Sequence, residues 1–363
     1  MKVLIIGFSK IKYMPYANFY LENIDTAVND VHFLYWNRDL KPENISNFKN
    51  VTLHEFACLQ MDDGSKISKI KNFVKYRKYA THLLKKEQFD FVIFLHSFPG
   101  VLLYQELTKK YSQRFIFDYR DSTYEYFPPF KHRIQKLVEY SKLTFVSSDA
   151  FRQLLPKDQT NKIITSHNLL LESLFHRNEK EKYGTVSDKI RIAFWGFIRD
   201  ERINREIIKK IANNSRFELH YYGREQDIAI NLKKYAADLD ARNVYFHGEY
   251  SPCDRYVFVK SADLIHNIYN DKNMMMAMGN KYYDGLIFYI PQLCMQNSFM
   301  GKKCTTNKIG LECNPSDDDF LDKIEDYYLN LDKQEFKRQC DRELEKVVCE
   351  YNEGKAQCQT LFV

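Results

Sequence analysis

Four short stretches of this 363-residue chain set polar side chains beside apolar runs, where open α/β sheets hold their ligands. In Phe94-Leu95-His96-Ser97, His96 follows a buried-type strand directly. An imidazole there can act as a general base or donate a hydrogen bond to a hydroxyl. In Asp118-Tyr119-Arg120-Asp121 two aspartates flank an arginine. One of them can orient an acceptor hydroxyl or take its proton, and Asp121 is the better candidate because Asp118 still belongs to the strand. In Trp195-Gly196-Phe197-Ile198-Arg199-Asp200-Glu201-Arg202, Gly196 lets another group approach the backbone. Arg199 or Arg202 can then neutralise a diphosphate, whose oxygens match the guanidinium fork. The fourth stretch, Asn280-Lys281-Tyr282-Tyr283-Asp284, runs into an apolar segment that ends at Pro291. Read as helix then strand, it puts a carboxylate where the two hydroxyls of a ribose can reach it. Each stretch also has a plain structural use: a satisfied histidine, an Arg–Asp loop brace, an ordinary helix start, a solvated helix residue. Together they point to a nucleotide ligand, and to a nucleotide-sugar among nucleotides.

The elements that must position these groups are set by alternating apolar runs and longer helix-like stretches. Strands are expected at 2–6, 31–35, 51–56, 89–95, 114–118, 143–147 and 162–165, with helices near 16–24, 65–86, 100–111 and 131–140. A charged stretch, 179–189, reads as a linker. The pattern then resumes with strands at 190–195, 217–222, 244–247 and 264–268, and a short one around Leu293. Helices fall at 202–213, 228–238 and 254–260, and a long helical tail covers about 318–351. Strands alternating with helices imply parallel, doubly wound sheets. The expected class is therefore α/β, with two Rossmann-like domains facing across a cleft. The expected boundaries are a first Rossmann-like domain at 1–180, a second at 190–330, and a helical tail at 331–363 that is a candidate to pack back on the first domain.

Composition narrows the function classes. The formal charge of +6 is too small to argue for nucleic acid, and none is expected as a partner. The charge is unevenly spread, however. Residues 65–86 hold Lys66, Lys69, Lys71, Lys75, Arg77, Lys78, Lys85 and Lys86 without an acid, with Ile67, Ile70, Val74 and Leu84 at roughly helical spacing. Such a basic amphipathic helix is a candidate membrane-surface contact, or simply a solvated basic face. The 8 cysteines are scattered and form no C-x-x-C, which fits a reducing cytoplasm better than a disulfide framework or a zinc knuckle. The opening apolar run is too short for a signal peptide, and no run reaches spanning length. With no D-x-D at a strand end, no P-loop and no G-x-G-x-x-G, a metal-bridged diphosphate is not expected, nor is a cofactor beyond the nucleotide-sugar itself.

In these stretches the chain resembles the GT-B glycosyltransferases, especially the group-1 or family-4-like enzymes of bacterial surface polysaccharide synthesis. Ile192-Ala193-Phe194-Trp195-Gly196 with Arg199 is similar to the family's strand, glycine and basic residue that meet the donor diphosphate. Asn243 to Gly248, Ser261-Ala262-Asp263-Leu264, and Lys281-Tyr282-Tyr283-Asp284 to Pro291 match further family patterns, and Asp118-Tyr119-Arg120-Asp121 resembles a loop near the acceptor. The resemblance implies that 1–180 is the acceptor domain and 190–330 the nucleotide-sugar donor domain, and that Asp284 takes the place of a ribose-binding glutamate, with Lys281 and Tyr282 beside the donor. Two positions depart from it. Met276 stands where the family has a second acid, and Tyr289 where it has a glycine. The basic partner of Arg199 is Arg202 or Arg205. The resemblance implies a cytoplasmic, metal-independent glycosyltransferase, and the basic helix makes a peripheral position at the inner membrane face a candidate. It would move a sugar from a nucleotide-sugar to a hydroxyl of a lipid-linked saccharide, in capsule, O-antigen or exopolysaccharide assembly. The alternatives are a nucleotide-sugar 2-epimerase on the same plan and a transferase-like binding subunit without turnover.

Overall fold

The structure is a computed structural model that describes residues 1–362 apart from 44–49, 61–63, 183–187 and 252, and only the backbone of 178–182. The chain divides into two compact units, Met1–His167 with Cys349–Val363, and Asn168–Val348.

The first unit contains β1 (Lys2–Ile6), α1 (Asn18–Leu21), β2 (Asp30–Asn37), β3 (Val51–Ala57), α2 (Lys66–Glu87), β4 (Phe91–Leu95), α3 (Ser97–Leu102), α4 (Tyr104–Lys110), β5 (Phe115–Tyr119), α5 (Pro128–Tyr140), β6 (Leu143–Val146) and β7 (Ile163–Thr165). Its 7 strands are parallel and lie in the order β3-β2-β1-β4-β5-β6-β7. Strands covered on both faces need no polar side, so β4 and β5 are buried at every residue. α2 covers one face through Asn72, Tyr76, Ala80, Leu83 and Leu84, which recur at helical spacing.

The second unit contains β8 (Ile190–Trp195), α6 (Glu201–Ile211), β9 (Phe217–Tyr222), α7 (Asp227–Asp238), β10 (Val244–Phe246), α8 (Arg255–Val259), β11 (Leu264–Asn267), α9 (Asn280–Ile287), β12 (Gln292–Met295), α10 (Phe299–Thr306), β13 (Gly310–Cys313), α11 (Phe320–Leu329) and the start of α12 (Lys333–Gln359). Its 6 parallel strands run β10-β9-β8-β11-β12-β13. Each sheet thus reverses its strand order once, between β1 and β4 and between β8 and β11. These are the switch points of two Rossmann-like domains, where diverging loops leave room at the carboxyl ends of the strands.

Apolar runs in the sequence place β8 and β9 to the residue, but they do not show every break. The helix expected at 100–111 is two, because Leu103 leaves helical geometry between α3 and α4. The tail expected as one helix is α11 and α12, and Asp332 restarts it by accepting from the amides of Gln334 and Glu335 at 3.0 Å each. Between β12 and that tail, α10 and β13 have no counterpart among the expected elements. Ser298 starts α10 by accepting from Gly301 N at 2.9 Å.

The strand ends of the second sheet are drawn together through glycines. Gly196 has φ +111° and donates to Tyr222 O at 2.9 Å, and Gly223 donates to Gly248 O at 2.8 Å. A β-carbon on Gly223 would stand 2.2 Å from the carbonyl oxygen of Gly196. Backbone cannot swing aside as a side chain can. Gly223→Ala should therefore lower the unfolding free energy by about 1–3 kcal/mol, read in a urea titration. An unchanged midpoint would mean that the turn after β8 yields freely.

Candidate functional site

In the second unit the site grows from the turn after β8. Asp200, left-handed at φ +55°, caps α6 by accepting from Ile203 N at 3.3 Å, and its other oxygen accepts from Asn270 N at 2.9 Å. Asn204, one turn into α6, donates to Arg199 O at 2.7 Å and accepts from Tyr221 Oη at 2.8 Å. His266 completes this brace. Its Nδ1 accepts from Ile268 N at 3.1 Å, which leaves the proton on Nε2, 3.0 Å from Asn204 Oδ1. Burial, with Lys281 adding to it, pushes the pKa of His266 down to about 3, so it stays neutral. The backbone of Arg199 is thereby fixed while its side chain is exposed.

α9 supplies the next groups. Lys281 and Asp284 are three residues apart and share one helix face. Asp284 is 3% exposed, and its Oδ2 accepts from Trp195 Nε1 at 2.9 Å. Arg255 Nη1 lies 3.7 Å from Asp284 Oδ1, while its Nη2 donates to Ser173 Oγ at 2.6 Å. Among the described residues the buried Arg255 Nε has no hydrogen-bond partner. Lys281 Nζ donates to Trp195 O at 3.3 Å and to the Tyr269 hydroxyl, and lies 4.3 Å from the Phe194 ring centroid. Burial lowers its pKa to about 7, with Arg199 lowering it further and Asp284 opposing both. Burial likewise raises the pKa of Asp284, against Arg255, Trp195 and Lys281. Arg255 and Lys281 thus act on the Asp284 carboxylate at the carboxyl end of β8, and the charge of Arg199 reaches Lys281. The arrangement suits an added anion.

Of the other expected donor residues, Tyr282 faces away from this cluster. Tyr282 is turned roughly 100° round α9 from Lys281. It is fully buried, and its hydroxyl donates to Glu343 Oε1 at 2.8 Å. Arg202 is exposed on α6. Arg205 is paired with Glu201 at 2.7 Å and lies over the Tyr235 ring. Trp195 and Arg255 were not singled out from sequence as polar partners. An arginine inside the aromatic run Arg255-Tyr256-Val257-Phe258 was the available signal for one of them. Tyr289, which stands in place of a family glycine, has φ +52°, the left-handed conformation glycine adopts without strain. It is held by its hydroxyl, which donates to Asp341 Oδ1 at 2.6 Å and accepts from Arg177 Nε at 2.9 Å. Met276 sits in the turn before α9, its amide donating to Asn273 O at 3.0 Å.

In the first unit, His96 and Asp121 are brought together, with His96 Nε2 3.7 Å from Asp121 Oδ2. His96 Nδ1 accepts from Phe98 N at 3.2 Å, so the neutral ring carries its proton on Nε2 and can donate there. Burial lowers its pKa, with Asp121 and Glu125 opposing. Asp118 is fully buried in β5 and pairs with Arg120 Nε at 2.7 Å, a brace that Arg120 extends to Ser166 O at 3.0 Å. Among the described residues, no group of three His, Cys, Asp or Glu side chains could hold a metal ion.

No protein-family model matches the chain, and no curated protein matches its sequence. Solved structures do match over its whole length. It is similar to a sucrose-phosphate synthase from Thermosynechococcus elongatus at TM-score 0.74 and 10% identity, covering 100% of this chain and 98% of the other. It is similar to the N-terminal domain of a Candida albicans trehalose-6-phosphate phosphatase at TM-score 0.66 and 12% identity, covering 100% and 97%. The Anabaena protein Alr3699/HepE in complex with UDP matches at TM-score 0.66 and 11% identity, covering 99% and 100%. These likenesses establish the fold, two Rossmann-like domains of the GT-B type.

His96 has φ +83° and ψ 151°, a region that costs a side-chain-bearing residue about 1–3 kcal/mol to occupy. His96→Gly should therefore be more stable than His96→Ala by about 1 kcal/mol or more in chemical denaturation, although both lose the imidazole. Equal stabilities would show that the strain is not there.

Proposed function

We propose that the chain is a metal-independent glycosyltransferase, family-4-like, that moves a sugar from a nucleotide-sugar to a hydroxyl of a lipid-linked saccharide in bacterial polysaccharide synthesis. The observation that carries this reading is the gathering of Arg255 and Lys281 on the buried Asp284 carboxylate, with Arg199 in electrostatic reach of Lys281, at the switch point of the second sheet. A related fold holding UDP in the Anabaena protein supports it.

In this reading the diphosphate of the donor lies against Gly196, where no side chain stands in its way, and is met by Arg199 and Lys281. Charge that develops on the leaving diphosphate is stabilised by the Arg199 guanidinium and by Lys281, which the bound diphosphate holds as the ammonium before the reaction begins. Asp284 accepts from the ribose hydroxyls. A carboxylate has about four acceptor sites, so the Trp195 bond and the Arg255 pair leave room for them. In the first unit Asp121 takes the proton of the acceptor hydroxyl. His96, whose Nδ1 is occupied, donates from Nε2 and positions that hydroxyl.

Lys281 makes the reading testable apart from turnover. Its pKa of about 7 leaves it largely neutral at pH 8. A bound diphosphate favours the ammonium, so UDP binding at about pH 8 should take up nearly one proton, and at about pH 6 almost none. Calorimetry in buffers of different ionisation enthalpy measures this, and Lys281→Met should abolish the uptake. Asp121→Asn should lower sugar transfer by about 10²–10⁴-fold while leaving UDP binding intact. Absence of UDP binding, or binding without proton uptake, would overturn the donor-site assignment.

A further inference from the structure

The first unit carries an amphiphilic surface that the transfer chemistry does not use. α2 buries one face through Tyr76 and its neighbours, so its opposite face should be polar. It is not. Counting from Tyr76 at 100° per residue, Ile67, Ile70 and Val74 fall about 120–180° away, on the outer side of the helix. They are 69%, 61% and 48% exposed. Lys78 and Lys85 continue the same outer line toward the helix end, and both are exposed.

A second exposed apolar element lies beside it. The loop from β5 to α5 presents Tyr126 and Phe127, 74% and 56% exposed. A chain of ring contacts connects it to α2. Phe73 of α2 packs on Phe98 at 4.7 Å, and Phe98 lies 5.9 Å from Tyr124 of the same loop. The loop's Glu125 is turned inward, where it accepts from the Tyr119 hydroxyl at 2.7 Å. Lys131 and Arg133 come next, on the exposed side of α5.

We infer that this surface docks on an anionic lipid bilayer, with Ile67, Ile70, Val74, Tyr126 and Phe127 entering the headgroup boundary and the lysines of α2 meeting lipid phosphates. Two features select a bilayer. β-branched and aromatic side chains exposed on an outer face suit shallow insertion, and a helix with basic residues and no acid before Glu87 complements a negative surface. Among the described residues no helix is long and apolar enough to cross a membrane, so the contact is interfacial. The same loop carries Asp121. On the function proposed above, docking through it would bring the acceptor-side carboxylate to the surface where a lipid-linked acceptor lies.

The test is co-sedimentation of the full chain with vesicles of phosphatidylcholine alone and of phosphatidylcholine with phosphatidylglycerol. Binding is expected to the anionic vesicles only, and to weaken severalfold as salt is raised from about 0.05 M to about 0.5 M. The double substitution Ile70→Glu with Val74→Glu should cut it at least tenfold, and Phe127→Ser severalfold. These positions are exposed, so circular dichroism and UDP binding should match the parent chain. Equal binding to both vesicle types, or anionic binding that ignores these substitutions, would overturn the inference. Capture by polyglutamate with vesicles left unbound would also overturn it and make the surface a protein-docking face. Vesicle binding needs no nucleotide, so its failure is separate from a failure of the donor-site assignment.

Discussion

Asp284 carries a carboxylate into the interior of the second unit, and the geometry around β8 depends on how that charge is satisfied. Burying an unpaired carboxylate is costly, and in such a place it neutralises unless other groups compensate. Here the compensation comes from three directions: the indole N–H of Trp195, the guanidinium of Arg255, and Lys281 on the same helix. The Trp195 bond joins the last residue of β8 to α9, across 89 positions of sequence. Because Lys281 also donates to Trp195 O, the strand end is gripped from both its side chain and its backbone. The result is a fixed end to β8, from which Gly196 and Arg199 project, in surroundings that favour one more negative group.

The fold was largely legible because parallel sheets buried on both faces write themselves as short continuous apolar runs. Val92-Ile93-Phe94 and Ile192-Ala193-Phe194 announce strands with little ambiguity. What was hidden were breaks made by single residues. Asp332 begins α12 through its side chain, a local event that apolar periodicity does not register. The site was half legible for a related reason. The spacing of Lys281 and Asp284 places them on one helix face and can be counted from sequence. The approach of Arg255 and Trp195 is a tertiary fact, and neither residue type announces a carboxylate partner. Tyr282 shows the limit of adjacency: one position along α9 turns it away to Glu343.

Strain at two backbone positions separates structure from function in a similar way. His96 and Tyr289 both hold positive φ without being glycine. Tyr289 is fastened by Asp341 and Arg177, so its strain is offset by a local polar network. At His96 the visible compensation is the amide of Phe98 on Nδ1, and the product of the strain is an imidazole aimed at Asp121 at the carboxyl end of β4. Strain kept at a strand end beside a switch point, on a side chain able to donate, fits the positioning role proposed for His96.

The most direct test of the central claim is a crystal structure of the chain with UDP bound. The account predicts the diphosphate within hydrogen-bonding distance of Arg199 and of Lys281 Nζ beside Gly196, and the ribose hydroxyls at Asp284. A nucleotide seated away from the carboxyl end of β8, or none bound at saturating UDP, would contradict it.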